Sequence, residues 1–209
     1  MINFENLDKC QFDGVGKYGI PQIEPLKIGK VPEWIPFNYA LSAKQPETKG
    51  VHCFVDDYQF ARLWNQIDRY IPTLRRFACI CSPDFSTYTD MPPAMQIYNH
   101  YRKHWLGAYM QLMGVTVIPT ISWSTPDSFG WCFDGEPAHS IVAVSSVGTQ
   151  NNPEAKTLFD AGYNEMMRRL EPSEVIFYGK VPLEFDWNVR HIEPHYERIA
   201  KARIEKHGR

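Results

Sequence analysis

The chain carries no surplus charge of one sign: 22 basic residues against 24 acidic ones leave a formal net charge of −2 over 209 residues. That balance disfavours a protein that coats nucleic acid through a general basic surface, although a local patch survives such averaging. There is no uninterrupted apolar stretch of about 18 residues and no charged-then-apolar leader, so neither a membrane span nor export is expected. The five cysteines, Cys10, Cys53, Cys79, Cys81 and Cys132, are odd in number and include no CxxC pair. They suit reduced thiols in a cytoplasmic protein better than a disulfide framework or a tetrahedral metal site. Cys79 and Cys81 stand two apart in an apolar run, which puts both on one face of a strand as small hydrophobes. The Gly148 turn ahead of the Asn152 helix carries neither phosphate-binding signature, GxGxxG or GxxxxGK[ST]; the zinc signature HExxH is missing from the chain, and no internal repeat appears. No cofactor is named by any motif.

What is present is enough apolar material, 44% of the residues, for one sizeable core. Residues 1–50 are rich in Pro and Gly and read as an irregular arm, with Trp34, Ile35 and Phe37 docking it on the body. From residue 51 to 209 the pattern changes to short apolar runs alternating with helical ones, the rhythm of βα units in a single domain. Strands are predicted at 51–55, 77–81, 115–121, 141–147 and 175–178. They are nearly continuous in apolar residues, as strands covered on both faces must be. Helices are predicted at 58–71, 92–113, from Asn152 to Leu170, and at 193–206. The third of these opens with Asn152-Pro153-Glu154, a cap, a first-turn proline and an early acid. The expected fold is therefore α/β: a mostly parallel five-stranded sheet, open or incomplete and barrel-like. The turn-rich segment 124–139 is either a functional loop or a surface connection.

Ligands of parallel α/β proteins bind beyond the carboxyl ends of the strands, where loops and helix N-termini converge. Here all five ends are polar. Asp56-Asp57 follows the first strand, Ser82-Pro83-Asp84-Phe85-Ser86 the second, and Ser122-Trp123-Ser124 the third. Ser145-Ser146-Val147-Gly148-Thr149 follows the fourth and Tyr178-Gly179-Lys180 the fifth. Asp84, Asp57 and Lys180 are the catalytic candidates, because carboxylates and an amine brought together have their proton affinities pushed apart and can exchange protons with a substrate. Ser82, Ser86, Ser122, Trp123, Ser145, Ser146, Gly148, Thr149 and Tyr178 are the substrate-binding candidates. Each also has an ordinary reading: Asp56 or Asp57 as a helix cap, Asp90 as the cap of the second helix, Trp123 as packing, Lys180 as a solvated loop residue. This arrangement predicts a hydrolase or transferase acting on a nucleotide-like or other small substrate.

The helix around "MQIYNHYRKHWLGAYMQLMG" raises two further readings. His100 and His104 share a face at i, i+4, but without an accompanying HExxH acid no metal is assigned. Tyr98, Tyr101, Arg102, Lys103 and Trp105 mix aromatic and basic character, so a non-catalytic accessory protein gripping nucleic acid or a host protein through this patch is the alternative. That reading requires Tyr101, Arg102 and Trp105 to be exposed.

The blocks SPDFS, IPT followed by SWS, SSVGT and FYGK, in that order between residues 50 and 181, resemble the family catalogued as domain of unknown function 4417, found in bacteria, phages and other mobile elements. The resemblance implies a phage or mobile-element setting and an α/β core. It implies no reaction and no ligand.

Overall fold

A computed structural model describes residues 4–29, 31, 33–182 and 188–192. It begins with a two-stranded antiparallel ribbon, β1 (Gly14–Val15) and β2 (Ile20–Pro21). Seven parallel strands follow: β3 (Glu33–Pro36), β4 (Lys49–His52), β5 (Cys79–Cys81), β6 (Val117–Ile118), β7 (Ile141–Ser145), β8 (Glu174–Tyr178) and β9 (Val189–Ile192). Strands β3 to β6 form one sheet and β7 to β9 another, both in chain order, and a parallel bridge between Thr120 and Ala143 links them.

The five expected strands are thus present, and β3 and β9 are additional. β3 pairs Trp34 with Gly50 and Ile35 with Val51, so part of residues 1–50 is sheet rather than irregular chain. The glycine is required there, since a Cβ at position 50 would collide with the Trp34 ring. Helix α1 (Asp57–Phe60) and helix α2 (Arg62–Leu74) replace the single expected helix; Ala61 between them keeps helical backbone angles, and the chain kinks within α2 at Gln66, at φ −146° and ψ 41°. Helix α3 spans Pro93–Leu112 and helix α4 Pro153–Leu170. Asn152 caps α4, its side chain accepting from the Glu154 and Ala155 amides at 2.9 and 3.2 Å. Asp90 caps nothing: α3 is entered through Pro92 with no side-chain cap. The helix expected at 193–206 lies outside the described residues.

Alternation along the strands divides the core. Val142 and Val144 of β7 and Val175 and Phe177 of β8 pack with Phe159, Tyr163 and Met166 of α4. Leu63, Ile67 and Ile71 of α2 pack with Trp105, Tyr109 and Met110 of α3 over Val51, Ile80 and Val117. Completely burying a side chain such as Phe60 or Leu63 contributes about 1.5–3 kcal/mol. The intervening residues meet in a third cluster that takes Trp34, Cys81, Ile118, Ala143, Ile176 and Ile192 from six different strands.

That third cluster requires a curled sheet. The His52 and Tyr178 rings lie 4.7 Å apart, and Phe54 stacks on Tyr178 at 5.0 Å. In a flat sheet, β4 and β8 would be separated by roughly 19 Å at the usual strand spacing. Curling brings their carboxyl ends, and the loops that follow, to one place.

Candidate functional site

Above the His52, Phe54 and Tyr178 rings opens a cavity of about 660 Å³, within the range of small-molecule sites. It is lined by the segments that follow β4, β5, β6 and β7 and by the first turns of α4. Of the candidates, Asp57, Asp84, Ser86, Ser122, Trp123 and Ser145 line it, together with Gly148 and Thr149.

The two aspartates differ in how they are held. Asp57 is clamped to the loop after β5: its Oδ1 accepts from the Ser86 hydroxyl at 2.8 Å and its Oδ2 from the Ser86 amide at 3.1 Å. It therefore ties α1 to SPDFS instead of capping α1. The same loop is fixed from α3, where Asn99 Nδ2 donates to the Ser86 carbonyl at 2.6 Å and the Arg102 guanidinium lies 4.0 Å over the Phe85 ring. Asp84 sits between these anchors and forms no hydrogen bond with any described residue. Burial raises its pKa to about 7; the Lys103 ammonium pulls the other way, and Asp57 adds to the rise. A carboxyl held there is part protonated near neutrality, which suits proton donation and acceptance alike.

Trp123 forms a wall. Its indole Nε1 donates to the Leu158 carbonyl at 3.2 Å, its ring meets Phe159 at 5.4 Å, and only a glycine at position 162 leaves room for it. Next to it Ser124 is 5% exposed, and its Oγ has no hydrogen-bond partner among the described residues.

Four candidates are placed elsewhere. Ser82 is buried, its Oγ accepting from the Thr120 amide at 2.8 Å and its carbonyl from the Thr120 hydroxyl at 2.7 Å, so it clasps strands. Ser146 donates to the Lys180 carbonyl at 2.7 Å. Tyr178 lies beneath the cavity in the aromatic stack, and Lys180 is exposed outside the lining. The physical reason is strand alternation: Cys81 faces the inside of the curl, so Ser82 faces α3. After Gly179, at φ +101°, the chain turns away and takes Lys180 with it.

Behind α3 lies a polar cluster that sequence spacing did not reveal. Lys103 Nζ donates to Glu136 Oε1 at 2.8 Å and to the Thr120 carbonyl at 2.7 Å. His104 Nε2 lies 2.9 Å from the same Glu136 oxygen, and its Nδ1 donates to the Pro21 carbonyl at 2.9 Å. Burial opposes ionisation of Glu136, but Lys103 and His104 outweigh it and hold its pKa below the ordinary value. His100, beside His104 at 4.3 Å between ring centroids, is pushed well below its ordinary pKa, first by burial and then by the neighbouring positive charges. His100, His104 and Glu136 bring their potential ligand atoms within 4.8 Å of one another. The Lys103 ammonium already supplies the positive charge that a metal would bring to Glu136. The aromatic-basic patch expected on α3 is largely consumed by the fold, with Trp105 at 0% and Lys103 at 1% exposure.

A family model described as "Domain of unknown function (DUF4417)" matches residues 12–195. The chain belongs to that family. The match begins well ahead of residue 50 and so takes in most of the N-terminal segment, including β1 to β3, which the quoted sequence blocks had left outside. Two relatives of this DUF4417 chain are the Gene 1 protein of Mycobacterium phage L5, 37% identical over 178 residues, and the Gene 1 protein of Mycobacterium phage D29, 33% identical over 193 residues. The alignments cover 83% and 88% of this chain and 76% and 69% of those proteins, respectively. No solved structure matches. No helix of the described residues is long and apolar enough to cross a membrane.

Proposed function

We propose that the protein is a phage or mobile-element enzyme, a hydrolase or transferase, that binds a small molecule in the strand-end cavity and moves a proton through Asp84. The curled sheet serves as an incomplete barrel, and the host cytoplasm is its setting. The observation that carries this reading is a carboxyl group with no hydrogen-bond partner among the described residues, held at the wall of a cavity with a pKa raised to about 7. A carboxylate kept for folding is normally paired, as Asp57 is with Ser86. Asp57 has two parts in the proposal: it fixes the loop that carries Asp84, and its negative charge adds to the burial that raises the pKa of Asp84. Lys180 has none. The alternative, nucleic-acid or host-protein binding through α3, draws no support from a helix whose Trp105 and Lys103 are interior.

The test is a carbon-13 titration of the aspartate carboxyls, with the Asp84 signal assigned by its loss in Asp84→Asn. A midpoint near 7 is expected. A midpoint near 4, the ordinary carboxylate range, would remove Asp84 as the acid/base group.

A further inference from the structure

We infer that the cavity takes an uncharged ring bearing several hydroxyls, a sugar or the sugar of a nucleoside, and rejects the phosphorylated form; this rests on the cavity being the ligand site. The lining contains four aspartates, Asp56, Asp57, Asp84 and Asp90, and among the described residues no Lys, Arg or His. A phosphate entering it would lose its water and meet carboxylates with no cation to replace that solvation. The nearby start of α4 offers no remedy. Its Glu154 and Ala155 amides are already taken by Asn152 Oδ1, and Glu154 adds another acid to the first turn.

A cationic ligand is the next possibility, and the pairing of the acids argues against it. Asp57 has both oxygens engaged by Ser86, and Asp56 and Asp90 are exposed to water. What the cavity does offer is hydrogen-bonding capacity without fixed counter-charge: eight hydroxyl-bearing residues line it, including Ser122, Ser124 and Thr149. Ser124 is the telling one: the residue lines the cavity, yet its Oγ is closed off and has no partner among the described residues, a cost that a ligand would relieve by drawing the hydroxyl round into the cavity. Phe54, Trp123 and Phe159 on the same lining supply aromatic surface that suits the C–H groups of a sugar ring or a base.

Calorimetric titration of the full chain with D-glucose, adenosine, glucose 6-phosphate, adenosine 5′-monophosphate and putrescine tests this. Glucose or adenosine is expected to bind, with its phosphate ester at least about tenfold weaker. Preference between the two neutral probes separates a free sugar from a nucleoside. Ser124→Ala is expected to weaken that binding about fivefold or more while leaving the unfolding midpoint of the free protein unchanged or higher, which a structural hydroxyl would not do. Tighter binding of a phosphate ester or of putrescine overturns the ligand class. If no neutral probe binds, the ligand class falls as well. The Asp84 titration then separates the two readings: a midpoint near 7 leaves the acid/base site standing, and a midpoint near 4 removes both.

Discussion

Asp84 in the loop after β5 and Glu136 in the segment before β7 both sense Lys103 of α3 and are treated in opposite ways. Glu136 is given a lysine, a histidine and a fully enclosed position, and its pKa is held low. Asp84 is given no partner among the described residues, an opening to solvent and a pKa raised to about 7. The protein evidently has the means to satisfy a buried carboxylate, since it does so within reach of the Lys103 charge that both acids feel. Leaving Asp84 unsatisfied is therefore a choice of position, and it places the stability cost at the cavity.

The comparison is most sharply broken at Glu136. Glu136→Ala leaves Lys103 and His104 buried without a counter-charge, with only the Thr120 and Pro21 carbonyls as partners, and a loss of about 3–5 kcal/mol is expected in urea unfolding at neutral pH. A loss under about 1 kcal/mol would mean that the cluster is not a structural pairing. Asp84→Asn should go the other way, gaining about 1–3 kcal/mol above pH 7. The pH dependence follows from the signs. Asp84 binds its proton more tightly folded than unfolded, so its contribution lowers stability as pH rises from about 3.8 to about 7. The advantage of the asparagine variant should grow over that window and vanish below it. Glu136 runs oppositely: its pairing stabilises above the ordinary value of 4.5 and is lost as pH falls through its depressed folded value. Unfolding curves at several pH values for both variants check this crossing. The smallest effect is expected for Asp57→Asn, about 1 kcal/mol from the weakened Ser86 clasp. With the Asp57 charge gone, the Asp84 titration midpoint should move down; an unmoved midpoint would show that the two acids do not sense each other.

Much of this was legible in the sequence where a local rule governs the outcome. β5, β7 and β8 are covered on both faces and read as continuous apolar runs, and α4 announces itself through Asn152-Pro153-Glu154. β3 and β9 were hidden because their residues, Glu33–Pro36 and Val189–Ile192, are short, half-polar or proline-flanked and acquire strand geometry only by pairing with distant chain. The place of the cavity was readable from the polar strand ends. Which side chains face it was not, since adjacent residues such as Ser145 and Ser146 diverge. Glu136 had no signal at all: its partners lie more than 30 residues away on α3, and the Gly135 turn that brings it there is set by tertiary contact.

The stack of His52, Phe54 and Tyr178 has a mechanical consequence. Filling the inside of the curl with rings ties the end of β4 to the end of β8, so the two cannot splay apart without separating rings whose centroids lie 4.7 to 5.7 Å from one another. Opening the curl would carry those ring faces into water, so the burial that closes the sheet also holds the strand-end loops together.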